Sequence, residues 1–214
     1  MNHVKTFYFN ELRVCTYILW DDTQECLIVD PGCESAGEQQ RLRRFIIDHA
    51  LTPVLVVNTH AHFDHVLGNL FVTKTYAVAS AIHEADSAML AKVSQQSALF
   101  GFQVEQPPAA TVLLTENEPV RFGHTRLQVL HTPGHTPGGI CLYAADAGFV
   151  LSGDTLFAGS IGRTDLPGGN YDALIRSIHS KLMTLPDETN VLPGHGPATT
   201  IGEERRNNPF LSNN

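Results

Sequence analysis

Three histidines and one aspartate lie within six consecutive positions, in the segment HAHFDH at residues 60–65. Imidazole nitrogens and carboxylate oxygens are ligands that zinc, iron and manganese accept. In an extended loop, His60 and His62 point to the same side, so both can bind one ion. A turn after Phe63 would direct Asp64 and His65 towards a second ion nearby. The segment therefore predicts a metal centre, and the alternative is a polar loop that happens to be rich in histidine.

Three later segments each place a further ligand-type side chain in a glycine- and proline-rich loop after a predicted strand. They are HTPGHTPGG at residues 131–139, SGDT at residues 152–155 and PGHG at residues 193–196. Loops held by a rigid sheet are where binding residues usually lie. A single His or Asp in such a turn is more often structural, but together with the first segment these loops supply enough ligands for two metal ions. His131, at the end of its strand, is either a hydrogen-bond partner of a ligand or a packed histidine.

The composition is that of an ordinary globular protein, with 43% hydrophobic and 17% charged residues among 214. We expect a single domain spanning residues 1–214. The formal net charge of −8 argues against a nucleic-acid partner and against a polybasic membrane patch. No apolar run is long enough to cross a membrane, and no signal peptide is recognisable at the start. With four scattered cysteines that favour reduced thiols, these features predict a cytoplasmic protein.

Strand-like and helix-like segments alternate in a way that predicts sheets inside and helices outside. Ser35 and Glu38 form a capping box for a helix to about residue 50, and residues 54–57 indicate a buried strand. A strand at residues 76–79 and a helix capped by Ser80 and running to about residue 92 are expected next. Further strands are expected at residues 4–9, 15–20, 26–29, 112–114, 120–122, 126–130, 140–143, 149–151 and 190–192, with helices after Val66 and Asn170.

The four ligand-bearing segments, HAHFDH, HTPGHTPG, SGDTLF and PGHG in this order, resemble the metallo-β-lactamase superfamily over nearly the whole chain. The resemblance implies an α/β fold, a four-layer αββα sandwich with two mixed β-sheets inside and helices outside. It also implies two divalent metal ions, with zinc as the first expectation and iron or manganese as alternatives. By motif position it assigns His60, His62 and His135 to metal 1, Asp64, His65 and His195 to metal 2, and Asp154 to a bridge between them.

Within that superfamily, the segment GDTLFAGSIGRTDLPGG at residues 153–169 is similar to glyoxalase II-type hydrolases and to persulfide dioxygenases. There the loop places a cation near the carboxylate of glutathione, and by position this cation is Arg163. The alternative is that Arg163 and Asp165 form a local ion pair that shapes the loop. Glyoxalase II enzymes continue into a helical domain for which the segment after Pro197 is too short, so we expect a more open site.

The expected reaction follows from the two ions, which can share a hydroxide and lower its pKa towards neutrality. Asp154 would hold this water between the ions, and Asp64 can orient it besides binding metal. A thiolate, whose conjugate acid has a pKa of about 8.5, leaves without being protonated. These features favour hydrolysis of a small-molecule thioester of the S-lactoylglutathione type.

Two other reaction classes stay open at this stage. One is a persulfide dioxygenase with a single iron, held by His60, His135 and Asp154. The other is a lactonase or β-lactamase activity of the same superfamily.

Overall fold

Two six-stranded β-sheets pack face to face in the computed structural model, which describes residues 3–211. In the first sheet the strands lie side by side in chain order. The first three are antiparallel neighbours, and the third to sixth run parallel. They are β1 (His3–Phe9), β2 (Val14–Trp20), β3 (Glu25–Val29), β4 (Thr52–Val57), β5 (Ala79–His83) and β6 (Val112–Leu114).

The second sheet is also mixed, because one parallel pair lies among antiparallel neighbours. Its strands are β7 (Val120–Phe122), β8 (Thr125–His131), β9 (Ile140–Ala144), β10 (Phe149–Gly153), β13 (Asn190–Pro193) and β14 (Thr199–Thr200). Their spatial order is β14-β13-β10-β9-β8-β7, with β10 and β13 parallel. Between β10 and β13 in the chain, β11 (Leu156–Phe157) and β12 (Ser160–Ile161) form a separate small ribbon.

Helices cover the outer faces of both sheets. They are α1 (Ala36–Asp48), α2 (Phe63–Val66), α3 (Asn69–Tyr76), α4 (Ser87–Leu90), α5 (Val93–Leu99), α6 (Tyr171–Ser177), which a π-helical turn extends through Ile178–Leu182, and α7 (Ile201–Asn207). Residues of α1 and α3 pack on the first sheet, and residues of α6 and α7 pack on the second. The four-layer αββα sandwich is therefore confirmed.

The core between the sheets consists of side chains that alternate along the strands. Leu27 and Val57 of the first sheet form one buried cluster with Leu127, Leu142 and Leu151 of the second. Burying a leucine or valine side chain stabilises the fold by about 1.5–3 kcal/mol relative to leaving it in water. This packing holds the ends of strands from different sheets at fixed distances from one another.

Local capping explains where two of the predicted helices begin. The Ser35 hydroxyl accepts a hydrogen bond from the backbone N–H of Glu38, and the Glu38 carboxylate accepts one in return from the backbone N–H of Ser35. Asn170 caps α6 by accepting a hydrogen bond from the backbone N–H of Ala173 at 2.9 Å. Both caps match the sequence expectation.

The region between β4 and β6 differs from its prediction. The strand expected at residues 76–79 begins only at Ala79, because Tyr76 still belongs to helix α3 and Ala77 ends that helix in a left-handed conformation with φ 54°. Ser80 does not cap a helix but lies inside β5, opposite Val56 of the parallel strand β4. Pairing with a neighbouring strand decides this segment, and such pairing is not visible in local propensity. Strand β14 and helix α7 were also not predicted.

No helix within residues 3–211 is both long and apolar enough to cross a membrane.

Asp21, only 2% exposed, connects the β2–β3 turn to the β7–β8 hairpin. Its carboxylate accepts hydrogen bonds from the backbone N–H of Thr23, the hydroxyl of Thr23 and the backbone N–H of His124, at 3.0, 2.6 and 2.8 Å. It also accepts one from the hydroxyl of Thr125 at 2.9 Å. Burial by itself would raise the pKa of Asp21, but these hydrogen bonds outweigh it and lower the pKa to about 2.

We expect Asp21→Asn to lower the free energy of unfolding at pH 7 by about 2 kcal/mol, because the lowered pKa stabilises the folded state. This contribution is present above pH 4 and is lost as the pH falls from about 4 to about 2. The difference between variant and wild type should therefore shrink over that range. Urea unfolding of both metal-free proteins at pH 7 and pH 3 measures it. Asp22→Asn, at an exposed neighbour, is the control, and a pH-independent difference would contradict the explanation.

Candidate metal centre

The seven residues predicted to bind metal converge at one edge of the sandwich. Each follows the carboxyl end of a strand: the 60–65 segment follows β4, and His135, Asp154 and His195 follow β8, β10 and β13. Two predicted groups of three each present donor atoms that lie within 4.8 Å of one another, and a third such group, Asp30 with His60 and His65, overlaps both. The two predicted groups are His60 with His62 and His135, and Asp64 with His65 and His195.

Asp154 lies between the two groups. Its Oδ2 is 3.5 Å from His135 Nε2, which belongs to the first group, and 3.7 Å from His195 Nε2, which belongs to the second. Its Oδ1 is 3.5 Å from His65 Nε2. One carboxylate therefore faces histidines of both groups, as the sequence expectation requires of a bridging residue.

The second group is drawn closely together. His65 Nε2 and His195 Nε2 are 3.2 Å apart, and Asp64 Oδ2 lies 3.2 Å from His195 Nε2 and 3.6 Å from His65 Nε2. Three donor atoms at these separations surround a space of the size that one cation occupies. Gly194 permits this approach, because a Cβ at that position would lie 2.1 Å from Asp154 Oδ1.

The outer ring nitrogens of the histidines are held by oxygen atoms. His135 Nδ1 donates to the carbonyl oxygen of Arg163 at 2.7 Å, and His195 Nδ1 donates to the carbonyl oxygen of Leu12 at 3.0 Å. A carbonyl oxygen only accepts, so each Nδ1 carries a proton, and Nε2 is the nitrogen that offers a lone pair in the neutral ring. The Nε2 atoms of both rings therefore face the centre in the form that binds metal.

Asp30 holds the outer nitrogens of two further histidines, His65 directly and His60 through Thr59. It was not identified from the sequence. Its carboxylate accepts from His65 Nδ1 at 3.0 Å, from the backbone N–H of Thr59 at 2.7 Å and from the Thr59 hydroxyl at 2.6 Å. That hydroxyl lies 3.0 Å from His60 Nδ1 and can accept its proton. Asp30 directly follows the predicted strand at 26–29, and this position was the available signal; the Asp-Pro-Gly sequence indicated only a turn.

Asp86, fully buried, was also missed and joins two ligand-bearing loops. It accepts hydrogen bonds from the backbone N–H of Ala61 at 2.9 Å, from the Thr136 hydroxyl at 2.8 Å and from the backbone N–H of Gly138 at 2.6 Å. Ala61 lies between His60 and His62, and Thr136 follows His135. Asp86 therefore fixes the position of the first donor group from outside. The helix expected up to about residue 92, which is present as a 3-10 turn at Glu84–Asp86 and as α4, gave no sign of this.

Several buried polar atoms at the centre have no hydrogen-bond partner among residues 3–211, and a cation would provide one. These atoms are His60 Nε2, His135 Nε2 and Asp154 Oδ1. Leaving such atoms buried and unpaired costs free energy, and most buried polar groups avoid it. All three belong to the predicted donor sets, so the residues present fit the metal ions that the sequence predicts.

The protonation of the histidines also suits metal binding. Burial, together with the neighbouring imidazoles, lowers the pKa of His60, and it lowers the pKa of His62 to about 3. Both rings are therefore neutral at pH 7, which is the ligand form.

The second group has the opposite balance of charge. Burial opposes charge on His65, but Asp64, Asp154 and Asp30 outweigh it and raise its pKa to about 10. Burial likewise opposes charge on Asp64, yet His65 and His195 hold its pKa well below the ordinary range. The clustered carboxylates thus attract positive charge to this point.

Arg163 and His131 lie outside the two donor groups. The Arg163 guanidinium forms a bidentate ion pair with the Asp165 carboxylate, with two contacts of 2.8 Å, while its carbonyl oxygen holds His135. The local ion pair considered from the sequence is therefore present. His131 stacks on His83 with ring centroids 4.0 Å apart, and its Nε2 lies 3.0 Å from the Pro137 carbonyl oxygen. Both histidines are packing residues.

Comparison with known proteins agrees with this geometry. The family model described as the metallo-β-lactamase superfamily matches residues 10–195, so the chain belongs to that superfamily. A probable metallo-hydrolase, YqgX of Bacillus subtilis, is 42% identical over 94% of this chain and 93% of its own. Hydroxyacylglutathione hydrolase GloC of Haemophilus influenzae is 36% identical over 91% of each chain.

Two solved structures are similar over almost the whole length. The BLEG-1 B3 metallo-β-lactamase is 36% identical, with a TM-score of 0.90, covering 98% of this chain and 100% of its own. TTHA1623 in a di-iron-bound form is 35% identical, with a TM-score of 0.87, covering 97% of this chain and 100% of its own. The chain is therefore a metallo-hydrolase of this superfamily, and its cluster of His and Asp side chains is able to bind metal ions.

We expect Asp86→Asn to weaken both folding and metal binding. An amide in this place presents N–H groups to backbone N–H donors, so at least one buried donor loses its acceptor, at a cost of about 1–3 kcal/mol. Unfolding in urea and the number of metal ions retained per chain measure the two effects. Glu84→Gln, at an exposed position two residues earlier, is the matched control. Equal stability and equal metal content in both variants would rule out the role assigned to Asp86.

Proposed function

We propose that this protein is a dinuclear metal-dependent hydrolase that cleaves thioesters of the S-lactoylglutathione type to a hydroxy acid and glutathione. The observation that carries the proposal is the pair of donor groups on either side of Asp154, whose two carboxylate oxygens lie 3.5–3.7 Å from histidines of both. In this proposal Asp154 bridges the two ions. The similarity to GloC supports the choice of a glutathione thioester.

The proposed cofactors are two divalent metal ions. His60, His62 and His135 would hold metal 1, and Asp64, His65 and His195 would hold metal 2. Zinc is the first candidate, because three- or four-ligand sites of imidazole and carboxylate with an open position are typical of catalytic zinc. The same donors accept iron and manganese, and the di-iron form of TTHA1623 supports keeping iron among the candidates.

When bound, the two ions would supply positive charge that activates a water molecule and polarises the thioester carbonyl. Asp64 is 7% exposed and ionised, so its carboxylate can accept a hydrogen bond from the attacking water and orient it. His60 and His62, being neutral, offer lone pairs and take no proton from that water.

The leaving group needs little help from the protein. A thiolate, whose conjugate acid has a pKa of about 8.5, departs without prior protonation, whereas an amide nitrogen or an alkoxide needs an acid. His65 and His195 hold the pKa of Asp64 well below its ordinary range, so this carboxylate does not supply a proton. A leaving group that departs without protonation therefore favours thioesters among the substrates of the superfamily.

β-Lactam hydrolysis is a second candidate, favoured by the 36% identity to the BLEG-1 B3 metallo-β-lactamase. It would use the same donor groups. The expected partner in either case is a small molecule, since the net charge of −8 does not favour nucleic acid. A cytoplasmic location and the iron-dependent dioxygenase activity stay predictions.

Purified protein loaded with zinc, iron or manganese should hydrolyse S-lactoylglutathione, and Asp154→Ala should lower kcat/KM by more than about 100-fold, because losing a direct ligand costs more than losing a ligand's hydrogen-bond partner. Steady-state kinetics with metal analysis of each preparation measures this. Asp146→Ala, at an exposed turn, should match wild type.

A fully loaded wild type that is no faster than Asp154→Ala on the thioester would reject the proposed function. Turnover of a β-lactam in its place would favour the second candidate. Oxygen uptake with glutathione persulfide would favour the dioxygenase.

A further inference from the structure

A cleft of about 450 Å³ opens directly beside His195, on the side of the second donor group. It is lined by Tyr8, Leu12, Arg13, His195, Gly196 and Pro197. We propose that this cleft binds the thiol half of the substrate and that the Arg13 guanidinium recognises a carboxylate on it. The identity of that ligand as a carboxylate-bearing thiol, such as glutathione, rests on the proposed function.

The β1–β2 turn, residues 10–13, forms one wall of the cleft and is attached to the second donor group. Asn10 Nδ2 donates to the backbone carbonyl of Asp64 at 3.1 Å and to that of Gly32 at 3.1 Å. The carbonyl oxygen of Leu12 accepts from His195 Nδ1 at 3.0 Å. Because the turn contacts both Asp64 and His195, whatever binds against it lies next to the reacting centre.

The turn itself is tightly defined. The backbone N–H of Leu12 donates to Asn10 Oδ1 at 2.9 Å, and the backbone N–H of Arg13 donates to the Asn10 carbonyl at 3.2 Å. Asn10 and Arg13 have φ values of 51° and 56°, a left-handed region that side-chain-bearing residues rarely adopt. This backbone conformation fixes the directions in which the side chains of Leu12 and Arg13 point.

Arg13 supplies a guanidinium to the lining of the cleft. Its guanidinium carbon lies 5.5 Å from the centre of the Tyr8 ring, and within residues 3–211 it forms no ion pair. Arg163, the cation suggested by the sequence, is already bound in bidentate fashion to Asp165. A guanidinium that lies near an aromatic ring and has no carboxylate partner keeps its N–H groups available for bidentate binding of a carboxylate.

The rest of the lining suits the apolar parts of such a ligand. Tyr8 is 47% exposed and Leu12 is 43% exposed, so apolar surface is open to solvent on the wall that faces His195. The volume is within the range of pockets that enclose small organic ligands. A tripeptide thiol with free carboxylates matches this combination of size, apolar surface and positive charge, and its sulfur end would point to the metal centre.

The test uses metal-loaded protein and S-methylglutathione, a thioether that cannot be hydrolysed. Calorimetry should show that Arg13→Gln weakens its binding by at least about 10-fold and that Arg13→Lys restores part of the loss, because the charge returns without the planar fork. Arg41→Gln, at an exposed position of α1 outside the cleft whose guanidinium carbon also lies 5.5 Å from an aromatic ring, is the matched control and should bind within about twofold of wild type.

Kinetics supply the second measurement. For S-lactoylglutathione, Arg13→Gln should raise KM at least about 10-fold and leave kcat within about twofold. For the lactoyl thioester of pantetheine, which has no carboxylate, the variant should equal wild type. A general structural defect would instead lower the activity on both substrates equally, and that result would overturn the proposal.

The two proposals fail in different ways. If wild type does not bind S-methylglutathione, or if Arg13→Gln binds it as wild type does, the role of the cleft is rejected whatever the rate of hydrolysis. If Arg13-dependent binding is found without thioester hydrolysis, the cleft stands and the proposed reaction is rejected.

Discussion

The hydrogen bonds on the outer nitrogens of the histidines are the interactions on which the site depends. Asp30, the carbonyl oxygen of Arg163 and the carbonyl oxygen of Leu12 each hold one ring by Nδ1. Because each acceptor holds Nδ1 on the outer side of its ring, it orients the ring so that Nε2 faces inward. These hydrogen bonds orient the inner nitrogens towards a common point, and this limits the reorganisation that metal binding requires.

Those acceptors come from segments that are far apart in the chain, and the sandwich brings them together. Backbone hydrogen bonds cross between the sheets at the site: Ile140 N–H donates to the Thr59 carbonyl at 2.9 Å, and Cys15 N–H donates to the Gly194 carbonyl at 2.7 Å. With the buried leucines between the sheets, these bonds fix the loop after β4 to strand β9 and the loop after β13 to strand β2. A donor group can then be assembled from loops that have no stable shape of their own.

The sequence was most informative where the chemistry is local. Spacing within residues 60–65 identified ligands of both donor groups, and the later Gly/Pro loops could be joined to them by motif order. Asp30 and Asp86 could not be found in this way, because an aspartate that accepts three hydrogen bonds from remote segments has no spacing of its own. The misplaced strand at residues 76–79 has the same cause: pairing with β4 decides that segment, and its local composition does not.

The two donor groups also differ in their surroundings, and this bears on selectivity. Beside the first group, the Arg163 loop is held by its ion pair with Asp165 and by the hydrogen bond to His135. Beside the second group, the β1–β2 turn holds His195 by the backbone carbonyl of Leu12 and leaves the side chains of Leu12 and Arg13 exposed. These two side chains can vary without disturbing the metal centre, whereas the Asn10 side chain bonds the Asp64 carbonyl. In this turn, the Leu12 carbonyl therefore positions a metal ligand, and the Arg13 side chain is the part that would select the substrate.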